Sequence, residues 1–358
     1  MVQPGWEGAR TLVLVERRPE AERVSSLWLA DPQGARLPPF VPGQYLTLEV
    51  PAPGRAPLVR CYSLSAPVGP EGGARYRLTV KAEGAASRWL VEEAPLGAAL
   101  EVRAPGGRFV LDPGAGPLVL IAGGIGVTPL ACMATALAAQ GMPRETWLLL
   151  AARRRRELAL EGELRALAEA HPRLRLEVIL SRPDPGDRCD HEGRVDASLL
   201  ARLLPPSDAP YGFYLCGPPA MTADLTRGLL ELGVPRSAIH EELFGPATVR
   251  RLRDTARLTP GLLPAPPAAA TPSGTLVRFA RSGQEATWTP AAGTLLELAE
   301  GARVPIPSAC LAGRCGTCLT RVLEGKVRHL VEPSFTALPP DGCLTCIAAP
   351  DGPLTLDA

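Results

Sequence analysis

Three cysteines within nine residues, Cys310, Cys315 and Cys318, constrain this chain more than any other feature. Thiols this close are bound to something, oxidised or idle. Zinc sites usually pair their ligands on two short knuckles that make similar turns around one ion. Here a single loop, "PSACLAGRCGTC", carries three cysteines, and only one side is left for a remote partner, Cys343 or Cys346. C-x4-C-x2-C with a distant fourth cysteine is the spacing of a [2Fe–2S] cluster. Gly313 and Gly316 inside the loop lack a Cβ, which lets backbone N–H groups turn toward cluster sulfides. Zinc and incidental thiols are the alternatives.

The other cysteines decide the compartment. There are 9 in all, an odd number bunched toward the C-terminus. A secreted disulfide framework is short, even-numbered and preceded by a signal peptide. The opening "MVQPGWEGAR" has neither a basic n-region nor an apolar core. A reducing, cytoplasmic setting is therefore expected, where clustered cysteines bind metal. A net charge of +1 gives no pull toward nucleic acid. Between Asp112 and Arg144 no residue is charged, but Gly123, Gly124, Gly126 and Pro129 cut the run into pieces. Neither piece reaches the ~20 residues of a spanning helix, so a buried strand, a glycine turn and a helix are expected, and no membrane.

The pattern then changes period along the chain. Residues 1–112 read as strands broken by turns ("RTLVLVERR", "VSSLWLA", "QYLTLEV", "RYRLTV", "ALEVRAP"), which predicts an antiparallel β-barrel with one helical piece, "ASRWLVEEA". Residues 113–245 alternate strand and helix, which predicts a parallel sheet covered by helices. In it "GGIGVTP" follows a strand and opens a helix, so glycines bring backbone close to a pyrophosphate at a helix N-terminus. Residues 246–274 are a Pro/Ala-rich linker. Residues 275–358 resume short strands, a brief helix at "TLLELAE", and the cysteine loop.

On these residues the C-terminal part resembles the plant-type ferredoxin domain family, with its β-grasp (α+β) fold. That resemblance makes Cys346, followed by Pro350, the fourth ligand beside Cys310, Cys315 and Cys318, and Cys343 a spare thiol. "RCYSLS" resembles the R-x-Y-S signature of the ferredoxin–NADP reductase superfamily. It implies a phosphate contact for Arg60, a ring for Tyr62 against the isoalloxazine, and a hydroxyl for Ser63 at flavin N5. Gly84 and Ser87 match that family's G-x-x-S, a phosphate-binding helix start, where Ser87 also reads as a plain N-cap. "PGQY" and "PGGRF" fall where relatives place flavin-side loops.

The same resemblance makes residues 113–245 a Rossmann-like NAD(P)H domain. It assigns Gly123, Gly124, Gly126 and Thr128 to the nucleotide, with Thr128 near the nicotinamide. Cys216, Gly217 and Pro218 match the C-G-P beside nicotinamide C4. Glu242 and Phe244, in "IHEELF", fall near the flavin. Ser63, Cys216 and Glu242 are thus the expected catalytic group. Arg153 keeps a basic position in "LAARR", where relatives carry an aromatic, G-N and Arg-Thr. Ser181 and Arg182 are candidates for a 2′-phosphate, which favours NADPH over NADH. The segment around "VKAEGAASRWL" favours FAD over FMN.

The implied function is electron transfer from NAD(P)H through flavin and a [2Fe–2S] cluster to a protein acceptor, an oxygenase component or a cytochrome. A flavin/iron–sulfur redox sensor or assembly factor is the alternative of another class. Reduction of a hybrid-cluster or globin-type partner in nitrogen-oxide chemistry is a further enzymatic one.

Overall fold

The computed structural model describes residues 6, 8–51, 57–114, 116–243, 274–308, 313, 316–331, 333 and 338–358. They fall into two compact units, one built almost wholly from the chain before residue 245 and one from the chain after it. The segment 246–273, Phe244, Cys310 and Cys315 lie outside the described residues.

The first unit opens with six antiparallel strands: β1 (Ala9–Ala21), β2 (Val24–Ala30), β3 (Tyr45–Val50), β4 (Leu58–Ser63), β5 (Arg75–Lys81) and β6 (Ala99–Gly106), in the spatial order β4-β3-β6-β1-β2-β5. Alternate side chains point inward, so Leu12, Leu14, Leu27, Leu29, Leu46 and Leu48 fill a common core. A bridge between Leu64 and Leu78 brings the two edges together beyond the end of β4 and closes the barrel. The helical piece is one α-turn, α1 (Ala85–Arg88), continued by a π-turn over Trp89–Glu93.

The same unit continues into a parallel sheet. Its strands are β7 (Leu118–Gly123), β8 (Thr146–Ala152), β9 (Leu174–Leu180), β10 (His191–Glu192), β11 (Gly212–Gly217) and β12 (Ile239–Leu243), in the order β10-β9-β8-β7-β11-β12. All neighbours are parallel. Helices α2 (Val127–Ala138), α3 (Glu161–Ala170), α4 (Ala197–Leu203) and α5 (Pro219–Glu231) connect the strands. The i, i+3, i+4 apolar spacing of "ELALEGELRALAEAH" would open a helix at Glu157, but α3 starts four residues later, because Leu160 adopts a left-handed φ of +61° and breaks the run. The chain runs outward from β7 to β10 and then crosses back to β11, so the topological switch lies between β7 and β11. In open parallel sheets ligands bind at the carboxyl ends of strands flanking such a switch.

The second unit has β13 (Thr275–Phe279), β14 (Gln284–Trp288), β15 (Leu319–Glu324), β16 (Val327–His329), β17 (Gly342–Leu344), β18 (Ala348–Pro350) and β19 (Leu354–Leu356). Five make one sheet in the order β14-β13-β19-β15-β17, and β16 pairs with β18. A helix, Leu295–Gly301, starts with a capping box in which Thr294 Oγ1 accepts from Glu297 N–H and Glu297 accepts from Thr294 N–H. Its Leu295, Leu298 and Ala299 pack on Val277, Phe279 and Leu356. No described helix is long and apolar enough to cross a membrane.

Candidate functional site

The switch point gathers four of the singled-out motifs. β7 ends at Gly123, and Gly124–Gly126 form a single 3-10 turn that leads into α2. β11 ends beside it at Cys216 and Gly217, and Pro218 caps α5. The two turns touch: a Cβ on Gly126 would run into the Cys216 carbonyl oxygen, and one on Gly123 would meet Pro218 Cδ at 2.6 Å. These glycines are fixed by packing of strand end on strand end, before any ligand is considered. Gly124 differs, with φ +54° and no atom within 4 Å of a built Cβ, so this is the open rim of the turn. Thr128 is buried, and its hydroxyl donates back to the Ile125 carbonyl at 3.1 Å.

β12 lies next to β11 in register, with Cys216 opposite Glu242. Both side chains are buried. From the barrel, Ser63 ends β4, is 5% exposed, and its hydroxyl donates to Glu242 Oε2 at 3.4 Å, a long contact. Ser63, Cys216 and Glu242 come from three distant parts of the chain to one junction between barrel and parallel sheet. Arg60 and Tyr62 precede Ser63 on the same strand and are half-buried, with Tyr62 packed partly on the barrel core. The loop carrying "PGGRF" also meets the parallel sheet here. Phe109, from "PGGRF", packs edge-on to Tyr214 of β11 with ring centres 5.7 Å apart.

Other candidates stand elsewhere. Gly84 is the N-cap of α1, and Ser87 is not: it sits at N3 and accepts from the N–H groups of Glu83 and Gly84 at 3.0 and 2.9 Å. The helix starts at Ala85, two residues before the serine, so the serine caps backward. Arg153, Ser181 and Arg182 are neighbours where β8 and β9 end, since Arg182 N–H donates to the Arg153 carbonyl at 2.9 Å. The Arg153 side chain is exposed and pairs with Glu157 at 3.2 Å. The rest of that basic run is also engaged by acids, Arg154 and Arg156 with Asp184 and Arg155 with Glu161.

In the second unit, Cys318 and Cys346 are buried and share one apolar cluster with Leu296, Leu344 and Ile347. Gly313 has φ +68°, and a Cβ there would run into the Ile347 side chain of this cluster. Two buried soft thiols in one apolar cluster suit an iron–sulfur cluster. Cys343 belongs to the other cluster, the domain core around Phe279 and Leu356. Burial pushes its thiol up to about 12, and Cys318 nearby adds to the shift.

Motif reading missed a second contact between barrel and parallel sheet, the pair Arg77 and Glu163, whose guanidinium and carboxylate meet at 2.6 Å. It also passed over His240, which stacks on Tyr214 with ring centres 4.5 Å apart and 15° between planes. Neither has a spacing signature, because each pair joins residues far apart in sequence.

Residues 120–227 match the oxidoreductase NAD-binding domain family, and residues 278–351 match the 2Fe-2S iron-sulfur cluster binding domain family. The flavohemoprotein of Rhodopirellula baltica is 37% identical over 257 residues, covering 68% of this chain and 62% of that protein. That of Halalkalibacterium halodurans is 35% identical over 257 residues, covering 68% and 61%. The chain thus spans less than two thirds of these relatives. Among solved structures, the flavohem-like FAD/NAD-binding domain of nitric oxide dioxygenase from Vibrio cholerae is 30% identical at TM-score 0.60, over 66% of this chain and 99% of that one. Phthalate dioxygenase reductase, described as a modular structure for electron transfer from pyridine nucleotides to [2Fe–2S], is 28% identical at TM-score 0.61 over 98% of both chains. An intact type IV self-sufficient cytochrome P450 monooxygenase is 27% identical at TM-score 0.68, over 98% of this chain and 41% of that one.

Proposed function

Because the chain belongs to the ferredoxin–NADP reductase superfamily and carries a C-terminal 2Fe-2S domain, we propose that it is an NAD(P)H-dependent electron-transfer oxidoreductase. It takes a hydride from NAD(P)H onto flavin, FAD rather than FMN, and passes single electrons through a [2Fe–2S] cluster to an external oxygenase component or cytochrome. The observation that carries this reading is the meeting of Ser63, Cys216 and Glu242 at the switch point of the parallel sheet. When bound, flavin converts a hydride into single electrons and the cluster accepts them one at a time.

The residues position and shield. Arg60 offers a fork of donors to a flavin phosphate, and Tyr62 a flat face. Ser63 would offer its hydroxyl to flavin N5, and buried Glu242 orients that hydroxyl by accepting its hydrogen bond. Cys216, Gly217 and Pro218 would hold the nicotinamide, a contribution of proximity rather than acid–base chemistry. The turn at Gly124 receives the pyrophosphate, and Ser181 with Arg182 the 2′-phosphate of NADPH, the preferred donor. Phe244, by the resemblance, would lie near the flavin. Cys310, Cys315, Cys318 and Cys346 hold the cluster; the shared pocket of Cys318 and Cys346 supports that choice over Cys343.

The likeness to flavohemoproteins and to a nitric oxide dioxygenase favours one second reading, a globin-type acceptor in nitrogen-oxide chemistry. A redox sensor is separated from both by turnover. Purified protein given NADPH or NADH, with excess cytochrome c as acceptor, should consume nucleotide steadily and faster with NADPH. Reduction that stalls after one cycle would overturn the enzymatic reading.

A further inference from the structure

Arg77 lies in β5, on the barrel side of the junction, and is 6% exposed. A guanidinium so buried must find partners for its donors, and it finds them on both sides. Its Nε donates to Ser65 Oγ at 3.1 Å, and one terminal nitrogen donates to the Ser65 carbonyl at 2.6 Å. The two terminal nitrogens together grip Glu163, at 2.6 and 3.1 Å to its two oxygens. Ser65 is itself held, because Thr79 Oγ1 donates to its hydroxyl at 2.8 Å and pairs with Ser26 at 2.9 Å. Ser65 N–H also donates to the Arg77 carbonyl at 2.9 Å, beside the bridge that closes the barrel.

The two ends of this chain of contacts matter. Ser65 is two residues beyond Ser63, on the segment that brings Ser63 to Glu242. Glu163 is in the first turn of α3, the helix entered from the carboxyl end of β8, the edge where the nucleotide turn lies. A bidentate pair fixes distance and angle together, which a single contact does not. A further ion pair between barrel and parallel sheet, Arg156 with Glu22 at 2.9 Å, is about half exposed at both partners and cannot define an angle in the same way.

We infer that Arg77 and Glu163 are positioning residues that set how the nicotinamide edge approaches the Ser63 strand. The inference rests on the hydride-transfer reading above. Neither residue touches the reacting atoms, and both act through Ser65 and α3. The purified full-length protein, loaded with its flavin, tests this by anaerobic stopped-flow reduction at saturating NADPH. The first-order bleaching rate is read per bound flavin, so a smaller folded fraction does not alter it.

Glu163→Gln keeps the shape and removes the charge, and should slow bleaching by roughly tenfold or more while flavin content stays near wild type. Arg77→Lys keeps the charge and loses the fork, and should slow it too. Glu16→Gln, which breaks the exposed Arg75 pair within the barrel, should match wild type. Variants that bleach within about twofold of wild type, or lose flavin without any change in rate constant, overturn the inference and leave a structural brace. Wild-type protein that neither nucleotide bleaches overturns the hydride-transfer reading itself.

Discussion

Ser63 ends a barrel strand with a buried hydroxyl aimed at a buried carboxylate that arrives from the far end of the parallel sheet. Removing that hydroxyl leaves the strand, Arg60 and Tyr62 in place. Ser63→Ala should therefore retain flavin but slow its reduction by roughly tenfold or more, measured by stopped-flow absorbance; an unchanged rate would remove Ser63 from the chemistry. Among the thiols, Cys346 shares a pocket with Cys318 while Cys343 faces the domain core. Cys343→Ser should keep the visible absorbance of the cluster, and Cys346→Ser should lose it with the iron; the reverse pattern would exchange their roles. Ser63, Cys216 and Glu242 could be singled out from the chain because each sits in a motif whose order can be read. Arg77 and Glu163 could not, since an arginine in a strand and a glutamate in a first turn look like solvated positions until the fold brings them together.

At the scale of elements, β2 and β11 were legible to the residue, because alternation or an unbroken apolar run is bounded by turn residues. The two-residue β10 and the short helix α4 went unread, as neither is long enough to show a period. β12, singled out in the sequence only for Glu242 and Phe244, also carries His240 against Tyr214, whose hydroxyl accepts from Asp112 N–H at 2.7 Å. Burial lowers the His240 pKa, Arg236 adds to the shift and Asp112 opposes it. The sign follows. The unfolded chain binds a proton near the ordinary histidine pKa of about 6.5, and the folded chain refuses it until lower pH. Stability from neutral His240 is thus present above that value and lost as pH falls below it, at no more than about 1.4 kcal/mol per pH unit. Denaturant unfolding of the protein between pH 7 and 5 should show this slope, and His240→Phe should flatten it; equal slopes would assign the acid limb to other groups.

For the whole molecule, the sequence order of strand-rich, alternating and cysteine-bearing regions was enough to lay out an antiparallel barrel, a parallel sheet and a small mixed domain. The acceptor was not legible, because a docking surface leaves no spacing in the chain and depends on which side chains the folded surface groups together. The central claim is that nicotinamide electrons reach iron held by the C-terminal cysteines. The most direct measurement is iron, acid-labile sulfide and flavin content of anaerobically purified full-length protein, with electron spin resonance before and after NADPH. The account expects iron and sulfide in equal amounts beside bound flavin, and a reduced-cluster signal that appears only after nucleotide is added. Zinc in place of iron, or flavin that bleaches while no iron–sulfur signal develops, would contradict it.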